Sequence, residues 1–510
     1  MKYNISNLGQ FGMMQDQAPV DLPDNAFSNA QNCRFAGGYA GRMAGHVQVF
    51  GTLATTPLFL LPMTYSTSRF VIYPGTNAIY ADDGTTETNV TGAAPTGAVT
   101  DKWTGDVFNG IAILNNQIDV PQYWDGTIAS NFATFPTWDA TWRAKSIRSY
   151  RDFIVAVNIT KGATRYPQMV KWSTAANPGS MPNSWNEADP TTDAGEFPLA
   201  QTQGELVDSL PLGGVNIIYK TDSYWSMQFV GGEEKFAFQL IGSGAGLLSQ
   251  NCAVAFPGGH VCIGNGDIYI HNGGQSRSIV SERDRDWFFG NLDSTYRNLA
   301  FACINPSKKE VWLCAPGTGF TSCTYALVWN WETDTIGHRE VPNLYHANTG
   351  QVDVTAISVW DSFTDVWDDV TELWSELQYN PAEQRLILAS ANAELYLPDR
   401  GSTFDGTEYT SYLERQGLVL GDPTTVKTVT GLWPRFDAPT GTVIQIRVGS
   451  QASPDVAVAW QGYVNYTVGT SFRADLFGTG RFIAYALQST SGSTWRLKGI
   501  TFEFENVSEF

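Results

Sequence analysis

Basic residues are scarce in this 510-residue chain: 31 Lys and Arg stand against 50 Asp and Glu, a formal net charge of −19 and a pI near 4.6. That deficit argues against a protein that grips nucleic acid through a basic face, because an acidic surface repels phosphate. Charge of either sign is sparse, at 16% of residues. Long apolar runs are missing too; the longest, Pro57–Met63, falls far short of the roughly 20 residues of a membrane helix. The start, Met1-Lys2-Tyr3-Asn4, has no charged region followed by an apolar stretch, so no Sec signal is visible and synthesis in a cytoplasm is expected. The six cysteines (Cys33, Cys252, Cys262, Cys303, Cys314, Cys323) show no CxxC spacing and read as small buried hydrophobes. Extended helical patterns are almost absent as well.

What the chain has in quantity is turn formers and aromatics: 49 Gly, 24 Pro, 28 Phe, 21 Tyr and 17 Trp. Such a composition excludes disorder and suits many short strands joined by tight turns. Seven short apolar strands recur: Phe70–Tyr73, Gly110–Leu114, Phe153–Val157, Asn216–Lys220, His260–Gly264, Glu310–Cys314 and Arg385–Ala389. Four of them continue through a Gly/Asn turn into a second strand with an aromatic, then Asp or Asn with Gly. FVIYPGTNAIYADDG and VCIGNGDIYIHNGG are two such units. Most spacings fall near the roughly 40–50 residues of a four-stranded propeller blade. The predicted fold is therefore all-β: a β-propeller of six to eight blades over residues 51–400.

Two long gaps interrupt the period. Residues 173–204 are rich in Pro, Asn and Asp and read as a long surface loop. Residues 353–378 carry the one heptad pattern, with Trp360, Trp367 and Trp374 seven apart and Phe363, Val370 and Leu377 between them. On a helix these make a narrow apolar stripe fit for docking on a neighbouring subunit. A repeated Trp-Asp turn is the competing conformation, and internal packing would satisfy either. Trp360, Phe363, Trp367, Val370 and Trp374 are thus the candidate assembly interface. Beyond residue 400 the pattern changes to longer alternating strands, as in TVIQIRVGSQ and WRLKGITFEFE, which predicts a C-terminal β-sandwich over 401–510. Residues 1–50, rich in Asn, Gly and Ala, read as an extended N-terminal arm with one short helical turn.

Catalytic chemistry finds little footing. The histidines are His46, His260, His271, His338 and His346, and there is no GxSxG elbow, no HExxH and no GxxxxGK[ST]. Paired carboxylates of the kind propeller glycosidases use could come from Asp82-Asp83, Glu233-Glu234, Asp284 with Asp286, or Asp368-Asp369, but nothing marks any of them. The stretch Gln488–Trp495 (QSTSGSTW) misses the sialidase-type box at both its first Ser and its Asp. The alternating cluster Glu282–Asp286 reads as a self-neutralising surface network or, more sharply, as an inter-subunit ion-pair site. No catalytic residue, cofactor or metal ion is expected.

The opening segment holds Gly12, Gln15, Pro19, Leu22-Pro23, Ala26, Asn32, Phe35, Gly38, Arg42 and Gly45. This pattern resembles the N-terminal signature of tail hub and nozzle proteins of short-tailed bacteriophages. LNNQIDVPQYWDGT at Leu114–Thr127 and the tandem WDSFTDVWDDV agree with it, and Gly480–Glu505 resembles the closing strands of packaged-DNA stabilisation proteins of that family. The resemblance is dispersed over most of the chain. It implies a virion protein of the short tail ejection system, a β-propeller arranged as a homohexameric ring below the portal and adaptor. The ring's channel would retain double-stranded DNA and pass it at genome ejection. Partners so implied are further copies of the chain, the adaptor or head-to-tail connector, tail fibre, spike or needle proteins, DNA held without sequence preference, and the bacterial envelope. The family has no catalytic residues to carry over. An alternative from another class is a tail-associated propeller enzyme acting on carbohydrate, or a receptor-binding protein.

Overall fold

The computed structural model describes residues 1–66, 68–351, 384–490 and 492–509. Five four-stranded antiparallel sheets follow one another along the chain, at 61–89, 104–134, 142–198, 206–243 and 253–278. A sixth is made by Phe301–Asn305, Glu310–Pro316, Cys323–Asn330 and the first part of the long strand Thr335–Gly350. That strand then changes partners, and its second part, from Leu344, pairs with Arg385–Ser390. Glu394–Pro398 follows, and His46–Thr52 from the N-terminal segment adds the outermost strand.

The first strand of each sheet packs against the first strand of the next, and Thr335–Gly350 packs against Leu61–Tyr65 to close the circle. The result is a seven-bladed β-propeller whose last blade takes three strands from one end of the propeller segment and one from the other. The seven apolar strands picked out by the repeat are the second strands of the seven blades. They are buried on both faces (Ile111–Asn115, Gly259–Ile263 and Glu310–Pro316 wholly so), which is why they read as continuous apolar runs rather than as alternation.

The sandwich is built from both chain ends. One sheet contains Cys33–Ala36, Tyr39–Arg42, Arg496–Glu509, Thr425–Asp437 and Gly478–Gly480, with Lys2–Ser6 also paired to Arg496–Glu509. The other contains Asn29–Gln31, Ser411–Leu418, Phe482–Ser489 and Val443–Gln451. Leu413, Ile446, Tyr485, Leu497, Ile500 and Phe502 meet between them, together with Ile5, Phe27 and Phe35 from the N-terminal segment. Residues 1–50 are therefore extended but not free: they supply strands to both sandwich sheets and to blade seven, and the expected helical turn is not formed there. A buried ion cluster pins the crossing, with Arg34 bound to Glu310 at 2.5 Å and to Asp399 at 2.8 Å.

The 173–204 segment also differs from its reading as a surface loop. Gly195–Pro198 is the outer strand of blade three, and Trp185 is buried against Trp138 at 4.7 Å, sealing the seam between blades two and three. Trp185 and Leu199 of this Pro-rich stretch are core, and no period revealed them. All six cysteines are buried and free.

Candidate functional site

A propeller most often works at its axis, where the loops leading into the innermost strands converge. Here that end of the axis is bridged by side chains. Lys102, just before the first strand of blade two, donates to the Leu299 and Ala300 carbonyls at 2.9 Å each; these lead into blade six, which is not a neighbour of blade two. Asn298 reaches the Thr100 carbonyl at 3.1 Å, and Asn251, leading into blade five, donates to the Trp103 carbonyl at 2.9 Å. Arg148 of blade three binds Asp208 of blade four at 2.8 Å and Asn251 at 2.5 Å. Asp208 also accepts from Ser146 at 2.5 Å and from the Asn251 amide at 2.9 Å.

The electrostatics follow from this packing. Burial lowers the Lys102 ammonium, and two carbonyls are the acceptors that hold it. Burial would raise the Asp208 carboxyl, but the Arg148 guanidinium and the amide donors hold it below the usual carboxylate range. Such a fully bonded buried network rigidifies the ring of blades. It also occupies the place where an axial ligand would sit.

The carboxylate pairs singled out in the sequence do local work. Asp82 accepts from the Gly84 amide at 2.8 Å and Asp83 from Thr85 and Thr86 at 2.9 and 2.8 Å, so both shape one turn. Glu233 and Glu234 lie exposed in the hairpin between Phe229 and Phe236. Asp368-Asp369 and the candidate interface residues Trp360, Phe363, Trp367, Val370 and Trp374 lie outside the described residues. All five histidines are buried.

The cluster Glu282–Asp286 opens the one α-helix among the described residues, Glu282–Asn291. Ser281 caps it, accepting from the Asp284 amide at 3.1 Å, with acidic residues in the first turn where the helix dipole favours them. The cluster is only partly self-neutralising. Arg285 pairs outward with Asp267 at 3.1 Å, whereas Asp284 is buried 3.5 Å from His338. Trp287 stacks flat on the His338 ring, centroids 3.5 Å apart.

That helix walls a cleft of about 440 Å³ where blade six meets the sandwich. Nothing in the repeat pattern pointed to this cleft. Its residues come from three distant stretches of chain, and only the pairing of Asn29–Gln31 between Thr335–Gly350 and Ser411–Leu418 joins them. No group of three or more potential metal ligands occurs among the described residues, and no helix there is long and apolar enough to cross a membrane.

No family model matches the chain, and no curated protein matches it. Among solved structures the chain is similar to PorZ, an essential bacterial surface component of the type-IX secretion system of Porphyromonas gingivalis, at 6% identity and a TM-score of 0.39. The match covers 84% of this chain and 48% of that one, so the chain spans about half the length of PorZ.

Proposed function

We propose that this chain is a structural virion protein, a hub or nozzle subunit of a short bacteriophage tail, acting by assembly rather than catalysis. The observation that carries the proposal is where the residues of the resemblance lie. The Pro19 and Leu22 carbonyls accept from the buried Arg415, at 2.5 and 2.7 Å. Asn32 donates to Glu340 at 3.0 Å and to the Thr410 carbonyl at 2.8 Å. Arg42 lies 4.0 Å over the Tyr409 ring. At Gly45 any Cβ would fall 1.8 Å from the Thr403 carbonyl, so only glycine fits. These five residues thus fasten the start of the chain across sandwich and propeller.

The bridged axis sets the route for DNA in this reading. A duplex cannot thread the propeller itself, so the channel is the lumen enclosed by several copies in a closed ring. Six copies at −19 each bring −114 formal charges to such a ring. A lumen carrying part of that charge would repel the duplex and keep it from adhering.

The test is quantitative mass spectrometry of purified virions, scaling this protein to the major capsid protein. About six copies per particle supports the ring. Absence from the particle, or a predominantly basic lumen in an assembled ring, overturns it.

A further inference from the structure

The cleft beside blade six has a floor of unusual regularity. Asn29 and Gln31 are the outward residues of a strand whose middle residue, Ala30, points into the sandwich core. On one side Asn29 faces Glu414, with Gln416 two residues further along the same strand; on the other Gln31 faces His338, with Glu340 two residues on. Because strand side chains alternate, these six polar groups share one face of a three-stranded sheet. Trp287 and Arg283 of the helix Glu282–Asn291 stand against them, and Gln15, Ser28, Tyr325 and Arg339 are among the other lining residues.

The hydrogen-bonding character of this surface is specific. Glu340 accepts from the Gln31 amide at 2.7 Å and from Asn32 at 3.0 Å, so neutral donors, not a cation, hold its two oxygens. Glu414 accepts from Tyr412 and Gln416, and its nearest guanidinium, Arg447, is 4.0 Å away. Arg339 also lines the cleft, with its guanidinium donating to the Ala44 carbonyl at 3.1 Å and lying 4.4 Å over Trp312. Each carboxylate oxygen keeps a free lone pair, and the Asn29, Gln31 and Gln416 amides keep both donor and acceptor capacity, whereas Gln15 spends both donors on Met13 and Ser28. The buried Asp284 Oδ1 and His338 Nε2 make no hydrogen bond.

From these features we infer that the cleft binds a neutral, hydroxyl-rich ligand: a sugar residue or short oligosaccharide. Vicinal hydroxyls both donate and accept, which matches paired carboxylate and amide groups on one flat face, and the indole of Trp287 offers apolar surface for a sugar ring. Of the two carboxylates on the floor, Glu340 is held by neutral amides and Glu414 has Arg447 4.0 Å away, while Arg283 stands on the opposite wall, so the lining is of mixed charge rather than a basic anion cradle. The volume lies within the range of small-molecule sites. This inference is independent of the tail assembly reading, since either can fail alone.

Isothermal titration calorimetry on the full-length chain tests it, against glucose, galactose, N-acetylglucosamine, maltose and lactose, and separately against purified bacterial lipopolysaccharide. At least one should bind saturably, with Kd on the order of 0.1–10 mM for a free sugar. Binding confined to lipopolysaccharide would locate the sugar in an envelope glycan; binding of free disaccharides would make the site a general saccharide cleft. Glu340→Gln and Gln416→Ala should each weaken binding about ten-fold, the loss of one strong hydrogen bond. Gln416→Ala keeps the test decisive should Glu340→Gln melt early. No saturable binding by any probe, unchanged affinity in a folded variant, or binding of inorganic phosphate in its place overturns the assignment.

Discussion

At the residue scale the buried His260 and His271 behave as neutral hydrogen-bonding groups. Between blades four and five the Gly273 amide donates to His271 Nδ1 at 3.2 Å, which leaves His271 Nε2 as a donor to the Tyr219 hydroxyl at 2.7 Å. Tyr219 then donates to His260 Nδ1 at 2.7 Å, and His260 Nε2 donates to the Pro211 carbonyl at 3.0 Å. One proton per link satisfies the chain, and an extra proton on either ring would break it. Tyr219→Phe strands a donor and an acceptor at once, so it should cost about 2 kcal/mol or more. Chemical denaturation of the purified variant measures this, and a loss below about 0.5 kcal/mol would assign the hydroxyl no structural weight. Burial pushes His260 and His271 down to about 4 and His46 to about 3, from an ordinary 6.5. These groups therefore bind protons only on unfolding, and their contribution is complete above pH 6.5 and lost as the pH falls toward 4. The urea midpoint should decline steadily from pH 7 to pH 4.5; a flat profile would contradict the neutral buried assignment.

At the element scale the seventh blade carries the closure of the ring. Its outer strand, His46–Thr52, comes from the far end of the propeller segment, and Val49 packs with Leu395, Ile387, Leu60 and Val71 in the seam between blades seven and one. A charge placed there has no partner, so Val49→Asp should cost about 3 kcal/mol or more and open the ring at that seam. Thermal melting and limited proteolysis report it: the midpoint should fall and new cleavage should appear near residue 50. A variant as resistant as the parent would mean that the other three strands hold the blade without it.

Over the whole molecule, function in the proposed reading belongs to surfaces rather than to the axis. Phe197 stacks on Phe238 at 5.0 Å on the outer edges of blades three and four, and Phe197 remains 45% exposed. At the sandwich end Phe472 and Phe477 stand out at 80% and 67%. The heptad tryptophans, outside the described residues, are the sequence's own candidate for subunit contact. Trp367→Ala should leave the circular dichroism of the monomer unchanged and abolish higher-order species in analytical ultracentrifugation. Outright aggregation of the variant would make those tryptophans ordinary core.

The all-β propeller was legible in the sequence because each blade's second strand is buried on both faces. Burial writes itself as an apolar run such as Phe153–Val157, and the turn chemistry between runs repeats with the blade. Longer alternating strands such as Val443–Gln451 marked the sandwich in the same way, since one face is wet and the other dry. What those local patterns cannot carry is pairing between distant segments. Lys2–Ser6 against Arg496–Glu509, or Asn29–Gln31 between Thr335–Gly350 and Ser411–Leu418, depends on which free edge each short strand finds. Three residues such as Asn-Ala-Gln hold no period of their own. The bridged axis and the polar cleft both arise from such meetings, of Lys102 with Ala300 and of Gln31 with Glu340. Composition and periodicity determined the kinds of layer this protein is made of; only the tertiary structure decided where its polar side chains come together.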